Sequence, residues 1–351
     1  MKVVIASYDD DPPEGGQGVY VRGLRAALER LGDVEVRTVA GRGAHAIAYP
    51  RIVHRAPLDF SLQLTRDPSP LLAPSADVVH AQGGPGGVLL LRRIDTPLVY
   101  TAHHTYRQAY TRRAARRALG PLERRAYGLA AAVVAVSPST ASAVRAMGIR
   151  NVEVIPPGID VERFSVHRDS LRDPELMLFA GRLEAEKSPL DAIAAMCAVH
   201  EQNPKAHGIV VGRGSLDAQV RQAAARSGGV VEVRGAVSDD ELSKLYARAA
   251  VLLVPSRYEG LGMVALEAMA AGAAVVASDV TGLRDAVSGR GVLVPAGDMF
   301  GMAREATALL ADPIRRNEIA EHARDSVRRT HAWGICAEAV RILYRHVADH
   351  R

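Results

Sequence analysis

Short apolar, β-branched runs alternate with longer amphipathic stretches along the chain. In the first half the strand-like runs are residues 2–7, 34–39, 77–81, 98–101, 132–136 and 152–155. Continuous apolar runs of this length suit strands of a parallel sheet buried on both faces. Between the first two lies residues 20–31, where Val21, Leu24, Ala27, Leu28 and Leu31 line one face of a helix. The second half begins the same alternation afresh. Its strands read 176–180, 208–211, 230–234, 251–254, 274–277 and 292–294, with helices near 189–202, 216–225, 239–247 and 262–271.

This repeated strand–helix order predicts an α/β fold of two doubly wound, Rossmann-like domains, 1–160 and 170–332. The join falls at about 156–174, where Pro156-Pro157-Gly158 stops a strand and a polar stretch follows. Two such domains facing one another would leave a central cleft at the carboxyl ends of their strands, where ligands of open α/β sheets bind. Residues 331–351 read as a last helix with Ile335, Ala339, Ile342, Leu343 and Val347 as its apolar stripe.

Composition changes this picture little. Of 351 residues, 48% are apolar and 24% charged, enough to build two cores. A net charge of +5 is mild for this length and does not argue for nucleic acid. Cys197 and Cys336 have neither metal-ligand spacing nor a disulfide framework around them, and read as two buried thiols in a reducing compartment. The first apolar run is too short for a secretory signal, and the longest others, 129–136 and 268–277, are too short to span a membrane. A cytoplasmic location is therefore expected.

Two stretches carry chemistry. Gly181-Arg182-Leu183-Glu184-Ala185-Glu186-Lys187 leaves a strand and enters a helix. Arg182 and Lys187 lie five apart across a turn, so a forked guanidinium and a compact ammonium could converge on one diphosphate. Two solvated cations in a loop would look the same. The second stretch runs from Pro255 to Ala270. Its Gly260–Gly262 turn lets backbone approach a ligand, and a helix starting near Gly262 offers free N–H groups to phosphate. Glu259 sits on the turn. Glu267 sits among Leu266, Ala268, Met269 and Ala270, where a carboxylate needs partners such as a sugar diol.

Glu259, seven residues and then Glu267, followed by Ala-Met-Ala-Ala-Gly and Val275-Val276-Ala277, resembles the signature of retaining glycosyltransferase family 4, whose fold is GT-B. Gly181-Arg182-x4-Lys187, Ile155-Pro156-Pro157-Gly158-Ile159-Asp160, Val211-Gly212-x-Gly214 and Gly297-Asp298 match in the same order. The resemblance implies that Arg182 and Lys187 hold the donor diphosphate, that Glu267 binds the ribose hydroxyls, and that Glu259 contacts the transferred sugar. Gly181, Leu261 and Gly262 would add donor contacts, and Val237 would contact the base through its backbone. It also implies that the last helix, about 333–351, crosses back onto the first domain. Departures from the family pattern are Ser188 for Gly, Pro157 for Asn, Gly260-Leu261 after the first Glu, and Thr281 before Gly282 in a loop near the sugar.

The first domain would then take the acceptor. Gly15-Gly16-Gln17-Gly18, between the first strand and first helix, resembles the family's Gly-rich loop, with Gly16 backing onto the donor. Thr101-Ala102-His103 resembles its Thr-x-His, whose His faces the transferred sugar. Gln17, His104, Tyr106 and Arg107 are further acceptor-side candidates, and His80 reads either as structural or as a support behind the site residues. Arg107, Arg112, Arg113, Arg116, Arg117, Arg124 and Arg125 crowd one segment against a single Glu123. This suits either a solvated helix or contact with an anionic membrane or an anionic acceptor, though the apolar anchors a membrane needs are few.

The expected reaction moves a sugar from a nucleotide diphosphate donor, UDP- or GDP-linked with UDP favoured, to a hydroxyl of a small molecule, glycan or lipid. It is expected to proceed with retention, without a metal and without a further cofactor. A sugar-nucleotide epimerase on the same fold would convert donor without acceptor. A non-catalytic nucleotide-sugar sensor would not need the full Arg, Lys and Glu set. A dehydrogenase is disfavoured because no Gly-x-Gly-x-x-Gly follows the first strand.

Overall fold

A computed structural model describes residues 1–13, 15–72, 75–108, 119–165 and 172–350. Arg112, Arg113, Arg116 and Arg117 lie outside the described residues. The chain forms two compact units, Met1–Gly158 with Trp333–Arg351, and Ile159–Ala332.

The first unit is built on strands β1 (Lys2–Ser7), β2 (Glu35–Ala40), β3 (Val78–Gly83), β4 (Leu98–Ala102), β5 (Ala132–Ala135) and β6 (Val152–Val154). They pair in parallel in the order β2-β1-β3-β4-β5-β6. Side chains alternate between two faces. Val4, Ala6, Val79, Ala81, Tyr100 and Ala102 join one core with Phe60 and Leu64 of the helix Ala56–Arg66. Val3, Ile5, Val78 and Val99 join the other with Tyr20, Val21, Leu24 and Leu28. These four belong to the first helix, Gly16–Arg30.

The final helix, Trp333–Asp349, packs into that second core through Cys336, Val340, Leu343, Tyr344 and Val347. A Cβ on Gly23 would stand 2.1 Å from the Trp333 ring, and one on Gly158 2.5 Å from Trp333 Cα. Only glycine lets the indole wedge between these two backbones. His80 is fully buried and bridges the Tyr344 hydroxyl (2.5 Å) and Thr101 Oγ1 (2.7 Å), so the structural reading of that histidine holds. Of the two thiols, Cys336 is buried and its pKa is pushed up to about 12 by burial, whereas Cys197 is only half-buried, which corrects the expectation for it.

The second unit carries β7 (Asp173–Ala180), β8 (His207–Val211), β9 (Val231–Gly235), β10 (Ala249–Val254), β11 (Ala274–Ser278) and β12 (Val292–Val294). Their order is β12-β11-β10-β7-β8-β9, all parallel. The chain leaves β7 outward to β8 and β9, then returns to the far side of β7 for β10, β11 and β12. Neighbours β7 and β10 therefore mark the point where the strand order reverses.

Candidate active site

A ligand of an open parallel sheet meets the strands' carboxyl ends where the order reverses. In the second unit the loops after β7 and β10 flank that point. The first turns at Gly181, passes Arg182, makes a short 3-10 turn at Ala185–Lys187 and enters the helix Pro189–Gln202 at Ser188. The second runs from Pro255 to Gly262 and enters the helix Met263–Ala270.

The two loops are tied together. The Arg257 amide donates to the Glu186 carbonyl (2.8 Å), and its guanidinium donates to Ser188 Oγ (3.2 Å) and Asp191 Oδ2 (3.3 Å). The Lys187 ammonium donates to Glu259 Oε2. Arg182 is exposed and bonds Glu186 Oε1 (2.7 Å). The two cations thus lie on one loop and each meets its own carboxylate.

Glycines shape this rim by close approach. Gly262 adopts φ 78°, and a Cβ there would also strike Leu283 at 2.7 Å. A Cβ on Gly282 would stand 2.3 Å from the Glu259 carbonyl. Thr281-Gly282 forms the first turn of a helix, Thr281–Val287, packed on the Glu259 turn, where a loop was expected. The Gly212-x-Gly214 motif has a supporting role: a Cβ on Gly212 would stand 1.8 Å from the Gly181 carbonyl. Leu261 is buried, and Val237 lies half-buried between β9 and the helix Asp239–Arg248.

Glu267 projects from the middle of the helix Met263–Ala270 and accepts from the Tyr246 hydroxyl (3.2 Å). Burial raises its pKa to about 7, against the opposing pull of that hydrogen bond and of the Arg163 charge. Arg163 lies over the Phe164 ring (4.9 Å) and bonds Asp239 (3.2 Å), and Phe164 meets the Tyr246 ring edge-on at 5.9 Å. Tyr246, Arg163 and Arg257 were missed in the sequence. Only Tyr246 gave a signal, since a tyrosine in an apolar stripe needs a partner for its hydroxyl.

In the first unit the first helix begins at Gly16, so Gly16 to Gly18 form its opening turn and not a preceding loop. A Cβ on Gly16 would meet no atom within 4 Å, whereas one on Gly18 would stand 2.5 Å from Asp9 Oδ2. Asp9 also accepts from the Gly15 amide (3.0 Å) and pairs with Arg42 (3.0 Å). Gln17 reaches the Gly83 carbonyl at 3.5 Å.

His103 follows β4. Its Nε2 bonds Gln82 Oε1 (2.9 Å), and its ring meets Tyr20 edge-on at 4.9 Å. Burial, with His104 and His80 adding to it, lowers its pKa to about 3, so the imidazole is neutral at physiological pH. His104 lies close to Gly84, whose Cβ would stand 2.5 Å from the His104 carbonyl. Arg107 is exposed. Tyr106 is a correction: it is 3% exposed and its ring belongs to the core, so its side chain is packing and not an acceptor contact.

Residues 161–326 match Glycosyl transferases group 1, and residues 14–163 match Glycosyltransferase Family 4. A D-inositol 3-phosphate glycosyltransferase of Xylanimonas cellulosilytica is 33% identical over 393 residues, covering 96% of this chain and 93% of the relative. The chain belongs to glycosyltransferase family 4. An alpha-maltose-1-phosphate synthase of Mycolicibacterium smegmatis is 31% identical, covering 96% and 97% of the two chains. Sucrose-phosphate synthase of Thermosynechococcus elongatus superposes with a TM-score of 0.81 at 22% identity, over 100% of each chain. An Anabaena protein solved with UDP-glucose gives 0.75 at 19% identity, over 99% and 100%. The two Rossmann-like sheets are thus those of a GT-B glycosyltransferase. Among the described residues no three His, Cys, Asp or Glu gather as a metal site, and no helix is long and apolar enough to cross a membrane.

Proposed function

We propose that this glycosyltransferase moves a sugar, with retention, from a UDP-linked donor in preference to a GDP-linked one. The acceptor is a hydroxyl of a small molecule, a glycan or a lipid, with sugar phosphates the favoured small molecules. The observation that carries this is the pair of loops tied together at the β7/β10 switch point, which present Arg182, Lys187 and Glu259 on one rim. The UDP preference draws on the Anabaena neighbour solved with UDP-glucose. The sugar-phosphate preference draws on the names of the relatives, a D-inositol 3-phosphate glycosyltransferase and an alpha-maltose-1-phosphate synthase.

In this reading the donor diphosphate takes Lys187 from Glu259 and recruits Arg182 from Glu186. Glu259, released, accepts from hydroxyls of the transferred sugar. Glu267 accepts from the ribose diol. As the glycosidic bond lengthens through an oxocarbenium-like state, charge builds on the diphosphate and the two cations stabilise it. The acceptor attacks on the leaving-group face, which gives retention. Arg182 and Lys187 supply the positive charge that a divalent ion supplies elsewhere, so transfer is proposed to be metal-independent and to need no further cofactor. His103, Gly16, Gln17, His104 and Arg107 belong to the sugar and acceptor side. Arg124, Arg125 and the exposed Leu122 would allow peripheral contact with an anionic membrane from the cytoplasm.

Calorimetric titration with UDP, GDP, ADP and dTDP tests the donor, with UDP expected to bind tightest. Arg182→Ala should lower turnover by about 10²–10³-fold, and near-normal transfer would remove its leaving-group role. Chelation with EDTA should leave transfer unchanged. Co-sedimentation with anionic liposomes at low salt tests the membrane contact.

A further inference from the structure

Gln82 is the penultimate residue of β3 and faces Thr101 of β4 in the sheet register, two residues before His103. It is 0% exposed. Its Oε1 lies 2.9 Å from His103 Nε2, and its amide nitrogen has no hydrogen-bond partner among the described residues. A buried amide N–H left unpaired is costly, and an apolar residue of the same shape would serve the fold better. The amide's one bond goes to His103.

A neutral imidazole has one N–H and one lone pair, and the partner of one nitrogen decides the state of the other. With Nε2–H donated to Gln82, the lone pair sits on Nδ1. The ring is also held from the side. Tyr20 meets it edge-on with an interplanar angle of 86°, while Tyr20 itself is fixed by Thr101 Oγ1 (3.4 Å) and by the Trp333 ring (5.7 Å).

We propose that Gln82 is the positioning residue that fixes His103 as its Nε2–H tautomer, leaving Nδ1 as a hydrogen-bond acceptor for a hydroxyl of the transferred sugar. The sugar contact rests on the proposed reading of His103; the tautomer does not. The test is long-range ¹H–¹⁵N NMR of the full chain labelled at histidine, with His103→Asn used to assign the signal. The wild type should show a protonated Nε2 and an unprotonated Nδ1. Gln82→Met, apolar and of similar shape, should give a mixture of tautomers. Gln82→Glu keeps an acceptor oxygen and should restore Nε2–H. Circular dichroism checks that both variants fold.

Transfer kinetics run beside the spectra. The kcat/KM of Gln82→Met should fall by on the order of 100-fold with recovery in Gln82→Glu. A wild-type ring protonated at Nδ1, or one whose signals are unmoved in Gln82→Met, would overturn the proposal. Altered tautomers with unaltered kinetics in both Gln82→Met and His103→Asn would support the positioning role and instead overturn His103 as a sugar contact.

Discussion

At Glu267 a single carboxyl is expected to carry two opposite pH signatures. Burial raises its pKa to about 7 in the folded chain, above the usual carboxylate value. The native state therefore holds a proton that the unfolded chain has already lost, and stability falls as pH rises through that window. Other buried groups, His80 and His103 among them, have lowered values and contribute the opposite slope, so the comparison has to be wild type minus Glu267→Gln. That difference in Tm should shrink or change sign between about pH 4.5 and 7. With Glu267 in its proposed ribose-binding role, nucleotide affinity should do the reverse, because accepting from two ribose hydroxyls calls for the carboxylate. Calorimetric UDP affinity should rise with pH to a plateau above about 7, and Glu267→Gln should flatten the curve. Tyr246→Phe removes the hydrogen bond that holds the carboxyl down, so its midpoint should move to higher pH. A midpoint unmoved or lowered would detach Tyr246 from the site.

Ser188 shows how an element's geometry selects residue type. It enters the helix Pro189–Gln202 at φ 49°, a left-handed conformation that glycine adopts freely and that costs another residue roughly 1–2 kcal/mol. Its hydroxyl offsets that cost by donating to the Ala185 carbonyl (3.4 Å) and accepting from Arg257 (3.2 Å). Ser188→Ala keeps the strain and loses both bonds, so it should be destabilised by about 1–2 kcal/mol. Ser188→Gly loses the bonds and the strain together and should stay close to wild type; chemical denaturation separates the two. Elements of this unit were largely legible. Its central strands are buried runs, and reading them as parallel neighbours put residues 181–187 and 255–262 at the right strand ends. What the sequence did not show was long-range pairing. Lys187 with Glu259 and Arg257 with the Glu186 carbonyl join loops about seventy residues apart, and no local spacing announces that. Tyr106 was misjudged for a related reason: a residue beside a motif can point into the core.

The whole molecule sets the scale of the last prediction, because its two units have separate cores and the chain returns to the first only at Trp333. The indole sits between Gly23 and Gly158, and the Tyr344 hydroxyl reaches His80 of β3. Gly23→Ala would drive a methyl to within 2.1 Å of that ring, and neither backbone can yield cheaply. Overpacking of this kind costs about 1–3 kcal/mol, which for a unit of this size lowers Tm by roughly 2–4 °C per kcal/mol. The loss should fall on the first unit. Arg182, Lys187, Glu259 and Glu267 all lie in the second, so UDP affinity measured below the transition should be unchanged while scanning calorimetry shows an earlier first unfolding step. Transfer should drop with that step, since His103 stands on the weakened sheet beside Tyr20, which touches Trp333. A parallel fall in UDP affinity would mean that donor recognition is not housed in the second unit alone.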